Sequence, residues 1–218
     1  YLRDHGKAAD VEVTGICCTA LDLTRYAPKA KIVGPISWQL RYIRSGVPDV
    51  IIVDEQCIRT DTLNEAEKIH APLIATSEKN CLGLPDMTDE PAEAIVAAFI
   101  HGQITGALIL DPEKVGEVAS RVALAIHPKR KKHGSIPTKH QVAEMAKKCT
   151  LCMQCRRACP NDLPVAQAVK LAASGNLSGL DELYDDCLGC GRCESACKQK
   201  LPVHTLIVGA AEKQTREE

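Results

Sequence analysis

The stretch KCTLCMQCRRACPNDLPV, residues 148–165, sets four cysteines at spacings of three, three and four and follows the last with a proline. It aligns without gaps on DCLGCGRCESACKQKLPV, residues 186–203, at an offset of 38 residues, so every cysteine and the trailing Leu-Pro-Val recur. Three thiolates at i, i+3 and i+6 wrap one face of an iron-sulfur cube, while the fourth is carried by the departing chain toward a second cube. The pattern therefore predicts that Cys149, Cys152, Cys155 and Cys197 hold one [4Fe-4S] cluster. Cys187, Cys190, Cys193 and Cys159 hold the other. Paired Cys-x-x-Cys motifs also build structural zinc sites, but zinc takes four ligands, whereas each half here presents three close thiolates plus one, twice over.

Between the two motifs, LPVAQAVKLAASGNLSGLDELYDD carries Ala- and Leu-rich helical stretches on either side of Gly175-Asn176. QVAEMAKK (141–148) leads into the array as a short helix. Residues 141–210 thus resemble the α-helical ferredoxin type of domain found inside larger redox enzymes. That resemblance implies electron transfer, with potentials tuned by burial and by N–H groups directed at sulfur.

Ahead of the array, β-like runs alternate with helix-like ones. VEVTGICC (11–18), VPDVIIVDEQC (47–57) and APLIATSEKNC (71–81) read as strands, and KIVG (31–34) offers a fourth. ISWQLRYIRSG (36–46) and TLNEAEKIH (62–70) have helical spacing, the second with Asp61 in place for an N-cap. DEPAEAIVAAFIHG (89–102) and EKVGEVASRVALAIH (113–127) follow as helices. Alternation of this kind predicts a parallel sheet in an α/β domain over residues 1–127. The segment PKRKKHGSIPTKH (128–140) is basic, holds Pro and Gly, and interleaves no aromatic residue for base stacking, so it reads as a linker. Residues 211–218 read as a charged tail.

With 218 residues the chain is long enough for two domains of ordinary size. Its residues are 45% hydrophobic but only 3% aromatic, so the core must be built from Val, Ile, Leu and Ala. A formal net charge of -1 gives no overall field for nucleic acid or an anionic membrane. No apolar run approaches the roughly 20 residues that span a bilayer, and residues 1–10 lack a signal-like apolar segment, so a cytoplasmic location is expected. Twelve cysteines in such a chain argue for metal or redox chemistry rather than disulfides. The chain starts at Tyr1 rather than Met and stops in KQTREE, which leads us to expect a piece of a longer protein.

Four cysteines lie outside the array: Cys17, Cys18, Cys57 and Cys81, at the ends of expected strands. In an open parallel sheet those ends form the crevice where ligands bind. Singly, each cysteine is as well explained as a small buried hydrophobe. Adjacent strand residues point to opposite faces, so Cys17 and Cys18 should not both reach one centre.

The stretch GICCTALDLT, followed 39 residues after its second cysteine by VDEQC, resembles the active-site region of the nickel-containing carbon monoxide dehydrogenases. A cysteine-rich insert like that at 148–203 resembles the archaeal type, the α subunit of the acetyl-CoA decarbonylase/synthase complex. The resemblance implies a Rossmann-like domain at 1–127 and oxidation of CO with water to CO2, two protons and two electrons at a [Ni-4Fe-4S] centre. It implies that Cys18 binds the exposed iron of that centre, that Cys57 binds its cubane part, and that Cys17 lies behind them. It further implies ferredoxin as electron acceptor, a homodimer, and association with the other subunits of the complex. The family's iron-binding histidine and nickel-bound cysteine are expected outside this segment, His5 being too close to Cys18 to substitute, so the segment alone is expected to be inactive. Cys81 matches no ligand position. Asp54 and Glu55, beside Cys57, could orient ligands or relay protons, or serve as caps and surface charges. His70, His101, His127, His133, His140 and His204 receive no catalytic role. Two other classes fit the array: a purely electron-transferring subunit of heterodisulfide-reductase type, and a hybrid-cluster oxidoreductase.

Overall fold

The computed structural model describes residues 1–56, 58–59, 61–129 and 137–211, apart from the side chain of Ser37. The chain divides into two compact units, residues 1–133 and 134–218.

The first unit alternates strands and helices: β1 (Thr14–Ile16), α1 (Cys17–Tyr26), β2 (Lys31–Gly34), α2 (Gln39–Arg44), β3 (Ile51–Val53), α3 (Thr62–Lys68), β4 (Leu73–Ala75), α4 (Ala92–Ile100), β5 (Gly106–Leu108) and α5 (Pro112–Ile126). All its strand pairs are parallel, as the alternation predicts, but they form two sheets rather than one. β1 pairs with β2, Thr14 opposite Lys31. β4 lies between β3 and β5, Leu73 opposite both Ile51 and Gly106.

The three residues of β4 are fully buried, as a central parallel strand requires. Ile74 packs with Ile95, Phe99, Val118 and Val122 of α4 and α5. Leu73 and Ala75 face the other way, against Val53, Ala66 and Leu108. β5 is absent from the sequence expectation, although GALIL between Thr105 and Asp111-Pro112 is a bounded apolar run. Gly106 permits its close approach to β4, since a Cβ there would sit 2.9 Å from the Leu73 carbonyl oxygen.

The helix starts follow ordinary capping chemistry. Asp111 accepts from the backbone N–H of Glu113 at 2.9 Å, with Pro112 opening α5. Asp61 precedes α3 as expected, but its backbone is already helical and its side chain makes no cap bond. α2 and α3 are clamped by a buried fork in which Arg44 Nε and Nη2 donate to Glu65 Oε2 and Oε1 at 2.7 and 2.8 Å. Burial pushes the Glu65 carboxyl up, but hydrogen bonds from Arg44 and Lys68 outweigh it and hold the group below its ordinary value.

The second unit is helical over its described residues: α6 (Lys139–Ala146), α7 (Gln154–Ala158), α8 (Val165–Ala172), α9 (Ser178–Asp181), α10 (Arg192–Ser195) and α11 (Val203–Ala210). A reciprocal capping box, Thr138 with Gln141, opens α6. Its core joins Val142, Val169, Leu180, Leu206 and Ile207. The sequence repeat is also a repeat of backbone. α8 and α11 are related by the same 38 residues, and so are the left-handed pairs Leu151 and Gly189, Met153 and Gly191, and Asp162 and Lys200. The turn that follows each fourth cysteine closes alike, Val165 N–H to Leu163 O at 2.7 Å and Val203 N–H to Leu201 O at 2.9 Å. Among the described residues no helix is long and apolar enough to cross a membrane.

Candidate metal centres

In the second unit the cysteines stand on short helices and the loops before them. Leu151 and Gly189 turn left-handed, which brings their N–H groups back onto the sulfurs of Cys149 and Cys187 at 3.4 and 3.5 Å. Leu201 N–H reaches Cys197 Sγ at 3.5 Å. N–H groups aimed at sulfur favour thiolate over thiol and are a usual feature around iron-sulfur centres.

The fourth cysteine of the first motif does not stay with its own three. Cys159 lines one concavity with Cys187, Cys190 and Cys193, about 380 Å³ of empty space open to solvent. Cys149, Cys155 and Cys197 pack against the same helical core, α7 lies against α10, and Cys152 is exposed. Among the described residues no three His, Cys, Asp or Glu side chains converge on a point that would grip a single ion. Four thiols arranged round a cavity are the donor set of a polynuclear cluster, and the residues present fit one.

Gathering thiols in this way makes each harder to ionise. Burial pushes the Cys193 thiol far up, and the Glu194 carboxylate and the neighbouring Cys187 and Cys190 add to it. Burial raises Cys155 too, with smaller contributions from Cys149 and Cys152. Iron binding here must therefore displace protons. His204, 3% exposed, also lines the concavity, and its backbone N–H donates to Glu194 Oε1 at 2.9 Å.

In the first unit the cysteine pair does not sit on a strand. β1 ends at Ile16, and Cys17 opens α1 with a left-handed φ of 59°. The alternation that would separate Cys17 from Cys18 therefore does not apply: their sulfurs lie 3.9 Å apart, and Cys18 is exposed. Gly15 makes this tight entry possible, because a Cβ there would lie 2.6 Å from Ala20 Cα. Thr19, in the first turn of α1, donates to Asp54 Oδ2 at 2.9 Å, although β1 and β3 belong to different sheets. Asp54 Oδ1 accepts from Gln56 N–H at 2.8 Å, and the Asp54 carbonyl accepts from Asn80 Nδ2 at 3.2 Å. Asp54 thus ties together the C-terminal ends of β1, β3 and β4, the rim where α/β sheets bind ligands.

Glu55 pairs with Lys79 at 2.7 Å, an exposed contact that bridges the loops after β3 and β4. Cys57 lies outside the described residues. Cys81 packs with the hydrophobic group around Val53 and Leu73, as a structural thiol does. Thr19 and Asn80 were not singled out by sequence, since a lone hydroxyl or amide carries no signal until its partner is placed. The described donors at this rim are two thiols, short of a set that could enclose a nickel-iron-sulfur centre.

An α/β unit with parallel strands and a cysteine-rich helical unit define an iron-sulfur protein of the redox-enzyme type. The profile of the Prismane/CO dehydrogenase family matches residues 4–179, and that of a 4Fe-4S binding domain matches residues 184–200. The chain belongs to the Prismane/CO dehydrogenase family.

Its sequence is 57% identical, over 84% of the chain, to the acetyl-CoA decarbonylase/synthase complex subunit alpha of Methanothermobacter thermautotrophicus, and that match covers 24% of the relative. It is 48% identical over its whole length to the subunit alpha 1 of Methanopyrus kandleri, covering 29% of that protein. With the subunit alpha of Methanocaldococcus jannaschii it shares 49% identity over 82% of the chain and 23% of the relative. The chain spans about a quarter of the length of these relatives.

Proposed function

We propose that the chain is the electron-relaying part of a nickel-dependent carbon monoxide dehydrogenase, working within an acetyl-CoA decarbonylase/synthase complex. Cys149, Cys152, Cys155 and Cys197 hold one [4Fe-4S] cluster, and Cys187, Cys190, Cys193 and Cys159 hold the other. The observation that carries this reading is the concavity shared by Cys159 with the three cysteines of the opposite motif. Each cluster supplies a one-electron store. The chain's own part is to hold eight thiolates, to direct the N–H groups of Leu151, Gly189 and Leu201 at sulfur, and to surround the sites with an apolar helical core.

Cys18 and Cys57 are the thiolates this chain offers to the [Ni-4Fe-4S] centre, where CO and water become CO2, two protons and two electrons. Asp54 positions the Cys18 turn through Thr19. Because the described rim supplies only part of a donor set, no chemical step is derived through that centre. Ferredoxin as acceptor, a homodimer and the other subunits of the complex are the partners that belong to this reading.

Anaerobic reconstitution of the chain with iron and sulfide tests the relay. Two clusters require about eight irons per chain and broad absorption near roughly 400 nm from iron-thiolate charge transfer. Zinc at about two per chain without that absorption would refute it.

A further inference from the structure

The 38-residue repeat places the two motifs in the same backbone, so differences in charge at equivalent positions are differences between the two metal sites alone. Three equivalent positions reverse sign: Lys147 against Asp185, Lys148 against Asp186, and Arg156 against Glu194. Exposed Arg157 adds a further cation to the first motif, with Ser195 opposite it. The exchange of the fourth cysteine extends the contrast. Lys198 and Lys200 follow Cys197, which serves the first site, whereas Asp162 follows Cys159, which serves the second. Arg192 is the one cation that opposes the trend within the second motif.

Solvent access differs in the same sense. Leu151 is 43% exposed and Cys152 is exposed, whereas Gly189 and Gly191 at the matching turn are buried. N–H groups serve the first site through both Leu151 on Cys149 and Leu201 on Cys197. Reduction adds negative charge, so neighbouring cations, N–H donors and water favour it, and carboxylates and burial oppose it.

Resting on the two-cluster reading above, we propose that the Cys149–Cys155 motif is where electrons leave: its site is the more readily reduced of the two, and the basic surface around Cys152 docks an acidic one-electron carrier protein. Each transfer moves one electron from the carboxylate-flanked site to the cation-flanked site, and from there to the metal centre of the carrier, which is reduced. No bond is made or broken in this chain and no proton is taken up. Fixed charges within the screening length of about 8 Å at physiological salt set both the ordering and the docking.

The reconstituted chain is titrated reductively while its electron paramagnetic resonance is followed, and its binding to a small acidic [4Fe-4S] ferredoxin is measured at low salt. Two separated reductions are expected. In Lys148→Asp/Arg156→Glu, which gives the first motif the charges of the second, the separation should collapse and ferredoxin affinity fall roughly tenfold or more. Arg157→Glu alone, at an exposed position, should weaken binding several-fold. Asp185→Lys/Asp186→Lys should close the separation from the other side without weakening binding. Two clusters that reduce together in the unaltered chain would overturn the proposal, as would unchanged ferredoxin affinity in both motif-one variants. A chain that takes up no iron defeats the cluster assignment itself, and the proposal with it.

Discussion

The helical unit and the α/β unit build metal sites in opposite ways. In the helical unit the thiols come from two short runs, each turned by left-handed residues and short helices at fixed spacing, and only one ligand per site crosses between them. In the α/β unit the thiols and their supports come from the ends of β1, β3 and β4, joined through Asp54 across two sheets. A site written locally survives changes elsewhere in the fold. A site assembled at strand ends depends on packing that brings distant segments to one rim.

The largest expected effect separates the two units outright. In the complete enzyme, Cys18→Ala and Cys57→Ala should each abolish CO-dependent viologen reduction while the iron and the magnetic resonance signals of the two relay clusters remain. Loss of relay signals in either variant would show that the units do not hold their sites independently. Because the Cys17 and Cys18 sulfurs lie 3.9 Å apart at one helix start, Cys17→Ala is expected to lower turnover as well, rather than to be spared by strand alternation. Asp54→Asn keeps an acceptor for Thr19, so it should retain more activity than Asp54→Ala.

Next in size is a test of the shared ligand. Cys159→Ser should disturb the cluster of Cys187, Cys190 and Cys193 and leave the other in place, taking iron from about eight toward about four per chain. If the signal lost is instead that of the Cys149, Cys152 and Cys155 site, each run of four serves its own cluster and the exchange is wrong.

What sequence could and could not show follows the same division. The cysteine array was legible because its ligands, its turns and its second copy lie within a few residues of one another. β5 was not, since three residues without alternation resemble any apolar segment until Gly106 is seen against the Leu73 carbonyl. GICC read as the end of a strand because Val, Ile and Cys suit one. The left-handed turn at Cys17 that starts α1 depends on Gly15 beside Ala20, a contact between backbones that no side-chain pattern announces. For the same reason the joining of two sheets through Thr19 and Asp54 had no precursor in the sequence.

That contact gives a test of intermediate size. Gly15→Ala would force a methyl against Ala20 Cα at 2.6 Å and Leu23 Cδ1 at 2.9 Å, and overpacking against backbone costs on the order of 1–3 kcal/mol. The loss should appear as a lowered midpoint in denaturant unfolding followed by amide signals of the α/β unit, with the helical unit's signals unmoved. An equal shift in both units would mean that they unfold as one.

The smallest effect compares the two motifs with each other. Leu151 and Gly189 occupy equivalent turns, at φ 56° and 61°, and each points its N–H at the sulfur of the first cysteine of its motif. A left-handed conformation costs a residue with a Cβ roughly 1 kcal/mol, whereas glycine enters it freely. Leu151 is 43% exposed, so removing its side chain forfeits little buried area. Leu151→Gly should therefore stabilise the helical unit, though glycine's greater freedom when unfolded offsets part of the gain and leaves about 0.5 kcal/mol. Gly189→Leu should do the reverse and by more, because that turn is buried. Chemical denaturation of the apo chain under reducing conditions measures both. If Leu151→Gly is destabilising, the leucine contributes contacts that outweigh its strain, and the two turns are alike in shape but not in what holds them.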